Sequence, residues 1–345
     1  MAMLALRHAV LAVLAVFISI FSNPLLVYSK QAVLKQHSAD SPDSSLSPPA
    51  LTYIPPVGLG LWLSKGSNAT HAVEYALNAG YHHLDSAAAY NNEEYVGKGI
   101  SLSNLPRSSF WITSKLWNSA HRPSDVRPAL EKTLSQLDVP YLDLYLMHWP
   151  VAFNPEKAGS VLDKDTSILD TWRAMEDLVR AGLTKHIGVS NFAKHDVDDL
   201  LSQCEICPTA HEFETHPYLQ QQDFVDFHHR NGMQVIAYSP LANINPIYDS
   251  KNKLTPILED PFWVELAKEK NVTAAQAILA WGVQRGTVVI PKSVHEGRII
   301  ENFASQNVRF SDAEMDMVAG QDRQARFNNP SKDWGVDLFD DLDGA

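Results

Sequence analysis

Short apolar runs alternate with amphipathic segments along the chain from residue 57 onward. The apolar runs predict eight strands, at residues 57–60, 82–85, 110–114, 142–147, 187–189, 209–213, 234–237 and 288–290. The amphipathic segments, several of which follow a Thr, Ser or Asp cap, predict helices that include residues 70–79, 123–137, 168–180, 196–202, 221–230 and 274–285. Eight strand and helix units over about 270 residues predict the α/β class and a (β/α)8 TIM barrel in a single domain.

Polar residues end or follow seven of the predicted strands. They are Asp85, Lys115, His148, Ser190, Asn191, Glu212, Tyr238, Lys292 and Ser293. In a (β/α)8 barrel the C-terminal ends of the strands meet at one mouth, which carries the active site. One polar residue at a strand end would be ordinary, but this succession predicts a functional site at the mouth.

The stretch LDSAAAYNNEEYVGKGI places Tyr90 five residues after Asp85, in front of a helix. A tyrosine has an ordinary pKa of about 10, and a nearby ammonium such as that of Lys115 is expected to lower it. Asp85 would keep Lys115 charged and in place, and His148 could orient a carbonyl oxygen by a hydrogen bond. These four residues suit proton transfer to a carbonyl oxygen whose carbon receives a hydride. They do not suit acyl transfer, because no Ser or Cys nucleophile stands in a recognisable motif with a base.

Charge and cysteine content limit the partners of the chain. A formal net charge of −12 in 345 residues argues against a nucleic-acid partner, so any phosphate site must be small and local. The cysteines, Cys204 and Cys207, provide neither a disulfide framework nor a zinc site of four thiolates, and a helix end with one buried thiol is expected. No metal is predicted, although the stretch HEFETH offers possible ligands, because neighbours on a strand point to opposite faces.

The first fifty residues differ in composition from the rest of the chain. Residues 1–29 contain an apolar run and predict a signal peptide or a membrane anchor. Residues 30–50 are rich in Ser and Pro and predict a linker, and residues 51–345 are predicted to form the catalytic domain. This leader predicts membrane association through residues 9–28 and a location in the secretory pathway or at a membrane. A membrane-anchored protein whose catalytic domain faces the cytosol is an alternative.

Four motifs in order resemble those of the aldo-keto reductase family. They are GYHHLDSAAAYNNEEYVGKGI, LDLYLMHWP, HIGVSNF and IPKSVHEGRIIEN, and the resemblance extends over residues 53–334. It implies a monomeric (β/α)8 barrel that reduces aldehydes and ketones with NADPH. The catalytic residues that it implies are Asp85, Tyr90, Lys115 and His148, with Tyr90 as the general acid.

The cofactor site is predicted from local charge and from the resemblance. Lys292, Ser293 and Arg298 form a basic group that suits a ribose 2′-phosphate and favours NADPH over NADH. The stretch GLGLWL fails as a dinucleotide fingerprint, because Leu63 stands where the third glycine belongs. The resemblance implies further cofactor contacts by Ser190, Asn191, Tyr238, Ser239, Leu241, Glu301 and Asn302.

Glu212 departs from the family pattern, which usually has a glutamine at this place. An ionised glutamate can accept a hydrogen bond from the NH₂ group of the nicotinamide carboxamide but cannot donate one to its oxygen. The contact with the carboxamide would therefore be partly redistributed.

Three tryptophans follow predicted strands and are expected to wall a substrate pocket: Trp62, Trp117 and Trp149. Aromatic walls favour apolar or aromatic aldehydes, although sugar aldehydes also stack on such rings. The choice between these substrates would depend on three segments: the long loops at residues 151–166 and 242–254 and the segment from residue 321. The acidic stretch DLFDDLDGA within the last of these is expected to be frayed. An NADPH-dependent carbonyl reductase is the preferred function, and an NADPH-binding redox-sensing or partner module with little turnover is the alternative.

Overall fold

The computed structural model describes residues 53–248 and 254–344. Within them, eight parallel strands form one sheet in sequential order. The strands are β1 Leu59–Gly60, β2 His83–Asp85, β3 Trp111–Leu116, β4 Leu142–Met147, β5 Thr184–Ser190, β6 Ala210–Glu214, β7 Gln234–Tyr238 and β8 Thr287–Val289. Each overlaps one of the predicted strands, so the α/β class with eight parallel strands is confirmed.

The two ends of the sheet approach each other. Isolated parallel bridges join Val57 to Val289 and Gly60 to Lys292. A glycine is needed at residue 60, because a Cβ there would lie 2.5 Å from the carbonyl oxygen of Ile290. The curled sheet agrees with the predicted (β/α)8 arrangement.

Eleven α-helices occur in the described residues. They are α1 Gly66–Asn78, α2 Glu93–Ser103, α3 Pro123–Leu137, α4 Ile168–Arg180, α5 Lys194–Leu201, α6 Gln222–Arg230, α7 Pro261–Glu269, α8 Ala274–Gln284, α9 Glu296–Ala304, α10 Asp312–Ala319 and α11 Ser331–Trp334. The predicted helices at residues 123–137 and 168–180 coincide with α3 and α4. Side-chain caps explain several starts: Ser167 accepts hydrogen bonds from the first turn of α4, and Thr273 and Gln276 form a capping box on α8.

Two apolar layers lie on opposite faces of the sheet. Leu144 and Leu146 of β4 join a cluster with Ala210, Ile236 and Val288 inside the curled sheet. The alternate residues Tyr145 and Met147 belong to the larger cluster, to which the surrounding helices also contribute. All six residues of β4 are buried, as expected for a parallel strand that is covered on both faces.

The N-terminal predictions have two different outcomes. The 1–29 leader and the 30–50 linker lie outside the described residues, so the domain boundaries stay predictions. Within residues 53–248 and 254–344, no helix has the length and apolar character that a bilayer span requires. This finding contradicts the predicted location in the secretory pathway or at a membrane, which is withdrawn; residues 9–28, on which that prediction was based, lie outside the described part of the chain.

The expectation for the two cysteines was wrong. Cys204 and Cys207 form a disulfide in the turn between α5 and β6. The buried Glu176 of α4 accepts hydrogen bonds from the amides of Glu205 and Ile206, which lie between the cysteines. The spacing of two residues between the cysteines therefore produces a small closed loop at the N-terminal end of β6 and not a buried thiol.

Candidate active site

Strand register brings the predicted catalytic residues to one face of the sheet. Lys115 is paired with Leu146, which belongs to the inner apolar cluster, and Asp85 is paired with Thr113, two residues before Lys115. Because side chains alternate along a strand, Asp85 and Lys115 also point inside the curled sheet. Glu212 lies on the same face through its pairing with Ser190. The register of the strands thus brings the side chains of Asp85, Lys115 and Glu212 together in one polar cluster.

Lys115 is the centre of this cluster and is fully buried. Its Nζ atom lies 2.7 Å from Oδ1 of Asp85 and 2.9 Å from the carbonyl oxygen of Ser86. The hydroxyl of Tyr90 is 3.4 Å away, and Oε1 of Glu212 is 3.3 Å away. Asp85, Tyr90 and Lys115 are therefore brought together as predicted, and Glu212 joins them.

The small residues between Asp85 and Tyr90 explain how the phenol reaches the ammonium. A single turn of 3₁₀-helix, Ala88–Tyr90, follows β2, and Asn91 ends it in the left-handed conformation with φ of 52°. Alanine side chains leave room for the chain to fold back over Lys115, and the carbonyl of Ser86 becomes one of the acceptors of the ammonium. The unusual run of one Ser and three Ala is thus the turn that positions Tyr90.

Burial and charge set the protonation of this cluster. Burial alone would lower the pKa of Lys115, but Asp85, Glu212 and Tyr90 more than offset it, and the pKa is raised. Burial raises the pKa of Tyr90; Lys115 opposes this rise, whereas the carboxylates of Asp85 and Glu212 add to it. Lys115 thus lowers the Tyr90 pKa as expected, but the net pKa is raised because burial outweighs the effect of the ammonium. At neutral pH Lys115 is charged and Tyr90 carries its proton.

His148 completes the predicted catalytic group. Its ring contacts the ring of Tyr90 edge-on at a centroid distance of 6.0 Å and that of Trp117 at 5.2 Å. Burial and the positive charge of Lys115 lower the pKa of His148 well below its usual range, so the ring is neutral. The buried Nδ1 atom has no hydrogen-bond partner among the described residues. A neutral imidazole beside Tyr90 can bind a carbonyl oxygen at the same place.

Glu212 is 1% exposed and stands on β6 beside this group. Burial and the negative charge of Asp85 raise the pKa of Glu212 well above its usual range, against the opposing effect of Lys115. A protonated carboxyl group has both an O–H donor and an acceptor, as a carboxamide does. The expectation that residue 212 could only accept a hydrogen bond was based on an ionised glutamate, and the burial of Glu212 reverses it.

One cavity of about 1370 Å³ is lined by nearly all of the predicted site residues. From the catalytic and substrate groups, Asp85, Tyr90, His148, Trp62, Trp117 and Trp149 line it, and from the cofactor group Ser190, Asn191, Glu212, Tyr238, Ser239, Leu241, Lys292, Ser293, Arg298, Glu301 and Asn302 line it. Lys115 lies beneath the surface of the cavity, in contact with three of these residues. The strand-end prediction thus located the mouth of the sheet.

A pair of cations fits a phosphate at one end of this cavity. Burial and the charge of Arg298 lower the pKa of Lys292, as expected when two cations are neighbours. Among the described residues neither side chain forms an ion pair. An anion with a double negative charge would stabilise both, which agrees with the ribose 2′-phosphate of NADP. Glu301 also lines the cavity, and its carboxylate accepts a hydrogen bond from the hydroxyl of Thr273 at 2.6 Å.

A hydrogen-bond chain orders the middle of the cavity. The amide of Asn328 donates to the hydroxyl of Tyr238 at 3.2 Å, and this hydroxyl donates to Oδ1 of Asn191 at 2.7 Å. The amide group of Asn191 in turn donates to the carbonyl of His148 at 3.0 Å and to Oγ of Ser190 at 3.0 Å. Tyr238 is thereby held in one orientation, and its ring forms part of the cavity wall.

Sequence reasoning missed several residues that line the cavity, among them Asn328, Trp334 and Tyr248. The ring of Trp334 packs edge-on against Trp149 at 4.9 Å, and Tyr248 lies 6.4 Å from Trp62. None of the three ends a strand, so the strand-end signal could not find them. The only available signal was the presence of aromatic residues in the two segments that the sequence analysis treated as loops.

The acidic segment that was expected to be frayed is anchored. Leu338 and Phe339 are buried in a cluster with Trp149. Asp341 accepts hydrogen bonds from the amides of Lys194 at 3.0 Å and His195 at 2.9 Å, at the start of α5. Arg326 also donates a hydrogen bond to the carbonyl oxygen of Asp343 at 2.7 Å, and residues 326–343 between them are called the 326–343 segment. This segment contains Trp334, so its anchors also hold Trp334 in the cavity wall.

Among the described residues, one group of possible metal ligands is close enough to share an ion: His195, Asp340 and Asp341, all exposed. The possible ligands of the HEFETH stretch have other partners. His211 is hydrogen bonded to His228 at 2.7 Å, and Glu214 accepts from two backbone amides of the 326–343 segment. No metal site is derived from either group.

Comparison with known proteins identifies the family. The profile of the Aldo/keto reductase family matches residues 56–322. The aldo-keto reductase family 1 member A1 of Xenopus tropicalis is 42% identical over 80% of this chain and 88% of that protein. An uncharacterized oxidoreductase of Schizosaccharomyces pombe is 43% identical over 80% of this chain and 87% of that protein. The chain belongs to the aldo/keto reductase family.

Solved structures of the same family agree with the fold of this aldo/keto reductase. The aldose reductase of Schistosoma japonicum superposes with a TM-score of 0.77 at 35% identity and covers 85% of this chain and 98% of its own. The aldose reductase of Giardia lamblia gives a TM-score of 0.75 at 39% identity and covers 84% of this chain and 99% of its own. The predicted family is confirmed, and with it the prediction that the chain is an oxidoreductase of a generally NADP-dependent family.

Proposed function

We propose that this aldo/keto reductase reduces an aldehyde or ketone to an alcohol with NADPH, and that Tyr90 donates the proton to the carbonyl oxygen. The observation that carries the proposal is the contact of the Tyr90 hydroxyl with the buried ammonium of Lys115 at 3.4 Å. A charged ammonium beside a neutral phenol stabilises the phenolate that remains after the proton has left. The bound cofactor would supply the hydride that the carbonyl carbon receives.

Each residue of the group has a separate task in this proposal. Asp85 holds Lys115 charged through the 2.7 Å contact, because the buried ammonium needs a counter-charge. Lys115 polarises the hydroxyl of Tyr90. The neutral ring of His148 can donate a hydrogen bond to the carbonyl oxygen and turn it toward Tyr90. The carbonyl group is then held by two donors at the place where negative charge develops.

The residues that line the cavity support a division between cofactor and substrate. Lys292 and Arg298 would bind the 2′-phosphate, and Ser190, Asn191, Glu212 and Tyr238 line the same cavity. Glu212 contacts Lys115 at 3.3 Å and Asn191 contacts the carbonyl of His148 at 3.0 Å, so these residues suit the nicotinamide. Five aromatic side chains also line the cavity and contact one another or His148 through their rings: Trp62, Trp117, Trp149, Trp334 and Tyr248. Such a wall favours an apolar or aromatic carbonyl compound.

The replacement of Tyr90 by Phe tests the proposal. NADPH oxidation by a panel of aromatic and aliphatic aldehydes should fall by about 10²-fold to 10⁴-fold in kcat, the usual contribution of a general acid. The Kd for NADPH should be unchanged, because only the hydroxyl is removed. Tyr75→Phe on the outer helix α1 is the matched control and should keep wild-type activity.

Two results would contradict the proposal. Undiminished turnover by the Tyr90→Phe variant would remove the proton-donor role. NADPH binding by the wild-type protein without turnover of any aldehyde or ketone would favour the alternative, a redox-sensing or partner module that uses the same cavity.

A further inference from the structure

The carboxyl group of Glu212 and the hydroxyl of Tyr90 compete for the same N–H donor of the Lys115 ammonium group. An ammonium group has three N–H donors. Two of those of Lys115 point to Oδ1 of Asp85 at 2.7 Å and to the carbonyl of Ser86 at 2.9 Å. The third must serve the Tyr90 hydroxyl at 3.4 Å or Oε1 of Glu212 at 3.3 Å. An ionised Glu212 would therefore draw the ammonium away from Tyr90, and a protonated Glu212 would leave it there.

The charge count favours a proton on this cluster as long as no further cation is near. Asp85 and Glu212 together would carry two negative charges against the one positive charge of Lys115. Oδ2 of Asp85 and Oε2 of Glu212 are both buried and have no hydrogen-bond partner among the described residues. An unbalanced buried charge is costly, so one carboxyl group should keep its proton until a second positive charge arrives.

The oxidised cofactor brings such a charge, because the nicotinamide ring is positive in NADP⁺ and neutral in NADPH. This step rests on the function proposed above, in which the ring must lie beside Tyr90 for one carbonyl group to receive both hydride and proton. Glu212 lines the same part of the cavity. A carboxylate there would attract the oxidised ring, whereas a carboxyl group would be nearly indifferent to its charge.

We propose that Glu212 keeps its proton in the free enzyme and with NADPH, and releases it when NADP⁺ binds, so that the enzyme distinguishes the two forms of the cofactor in a pH-dependent manner. The O–H bond of the carboxyl group breaks, its electron pair stays on the carboxylate, and the proton passes to solvent. A glutamine at this position cannot do this, because a carboxamide does not ionise in this pH range. The departure of residue 212 from the family pattern thus becomes a specificity determinant for the redox state of the cofactor.

Other ionisable groups around Glu212 must be separated from it. Asp85 of β2, Lys115 of β3 and Tyr90 face it directly. His148 and Tyr238 line the same cavity. The strand neighbours that pair with Glu212 are Ser190 of β5 and Ile236 of β7, and neither titrates in this range. All of these groups remain in a Glu212→Gln variant, so the variant isolates the one carboxyl group.

The test is a pair of binding curves at each pH. Quenching of tryptophan fluorescence gives the Kd for NADP⁺ and for NADPH from about pH 6 to about pH 9, and their ratio cancels the ionisation of the phosphate groups that both forms share. In the wild-type protein the ratio Kd(NADP⁺)/Kd(NADPH) should fall with rising pH by up to about tenfold per pH unit, the slope for release of one proton. In Glu212→Gln the ratio should be flat. The glutamine is nearly isosteric with the glutamate and is the residue that the family usually has, so the variant should fold.

Glu93→Gln is the matched control. Glu93 is the other buried glutamate that lines the cavity; Ser114 and Thr133 donate to its carboxyl group, and burial raises its pKa. This variant should keep the wild-type dependence on pH. If it loses the dependence and Glu212→Gln keeps it, the titrating group is Glu93 and the proposal is overturned.

Calorimetry in two buffers with different ionisation heats gives a second readout, the number of protons released on binding. Wild type should release more protons with NADP⁺ than with NADPH, and Glu212→Gln should release equal numbers. If both forms bind but the Kd ratio of wild type matches that of Glu212→Gln at every pH, this inference fails and the proposed function stands. If neither form binds, the proposed function fails and this inference fails with it.

Discussion

The two carboxyl groups beside Lys115 should substitute for each other as its counter-charge. Asp85 contacts the ammonium at 2.7 Å and Glu212 at 3.3 Å. When Asp85 is replaced by Asn, burial still raises the pKa of Glu212, but the repulsion by Asp85 disappears and the attraction of Lys115 remains, so Glu212 can ionise in its place. When Glu212 is replaced by Gln, Asp85 remains. Only the double variant leaves a buried ammonium without a counter-charge.

The distances give the order of the effects on the free energy of unfolding. Asp85→Asn should cost about 1.5–3 kcal/mol, the usual value of a hydrogen bond to a charged group. Glu212→Gln should change stability by less than about 1 kcal/mol, because it replaces one neutral group, the protonated carboxyl group, by another of nearly the same size. An isolated buried charge costs about 3–5 kcal/mol. The double variant should therefore lose about 1–3 kcal/mol more than the sum of the single variants.

Urea denaturation at neutral pH, with linear extrapolation to water, measures these free energies for the wild type and the three variants. The control cycle combines Asp85→Asn with Glu176→Gln, which removes a buried carboxylate that shares no partner with Lys115. That pair should be additive within about 0.5 kcal/mol. Additivity of Asp85→Asn and Glu212→Gln within the same limit would refute the idea that both carboxyl groups balance one cation.

Three further predictions concern acid stability, cofactor choice and the 326–343 segment. Burial lowers the pKa of His121 to about 3 and that of His228 to about 4, so the unfolded chain gains protons first as the pH falls below 6.5. The free energy of unfolding should fall by about 2 kcal/mol for each of these two histidines between pH 6.5 and pH 5. A free energy of unfolding that stays constant over this range in urea titrations would contradict the burial of the two neutral rings. Lys292→Ala should raise the Kd for NADPH at least about tenfold and leave that for NADH nearly unchanged, whereas equal losses for both would exclude contact with the 2′-phosphate. Asp341→Ala should cost about 1 kcal/mol in urea denaturation, because two amides of α5 lose their acceptor, and the exposed Asp337→Ala should cost nothing; equal values would contradict the capping role.

The sequence was most informative where the chain is regular. The apolar runs predicted every strand in the described residues, and the β4 and α3 boundaries coincide with the structure. β4 is buried on both faces and is mostly apolar, and α3 buries one face and has the helical period of an amphipathic segment. β5 begins earlier than predicted, at Thr184. Its first three residues are polar, and one of them, Lys185, forms an ion pair with Asp143 of the neighbouring strand β4 at 2.9 Å. Polar residues within a strand hide it from an apolar pattern.

The site could be predicted only in part, for two physical reasons. Strand-end residues such as Lys115 were found because topology alone fixes where they lie. Trp334 and Tyr248 were missed because their segments have no periodicity, and their place depends on contacts that no local pattern encodes. The effect of Lys115 on the pKa of Tyr90 was predicted but the larger effect of burial was not, since the spacing of residues indicates which charges are near but not how far water is excluded.

The position of Trp334 in the chain has a consequence for the order in which the enzyme is made. The last strand, β8, ends at Val289, so all eight strands have been synthesised before the ribosome reaches the 326–343 segment. Until that segment docks on α5 and Trp149, a nascent chain can complete its sheet and its Lys115 cluster but lacks part of the wall that receives the carbonyl compound. We therefore expect an arrested chain that stops short of residue 326 to bind an aromatic aldehyde more weakly than the full chain, because it contains the Lys115 cluster but lacks Trp334.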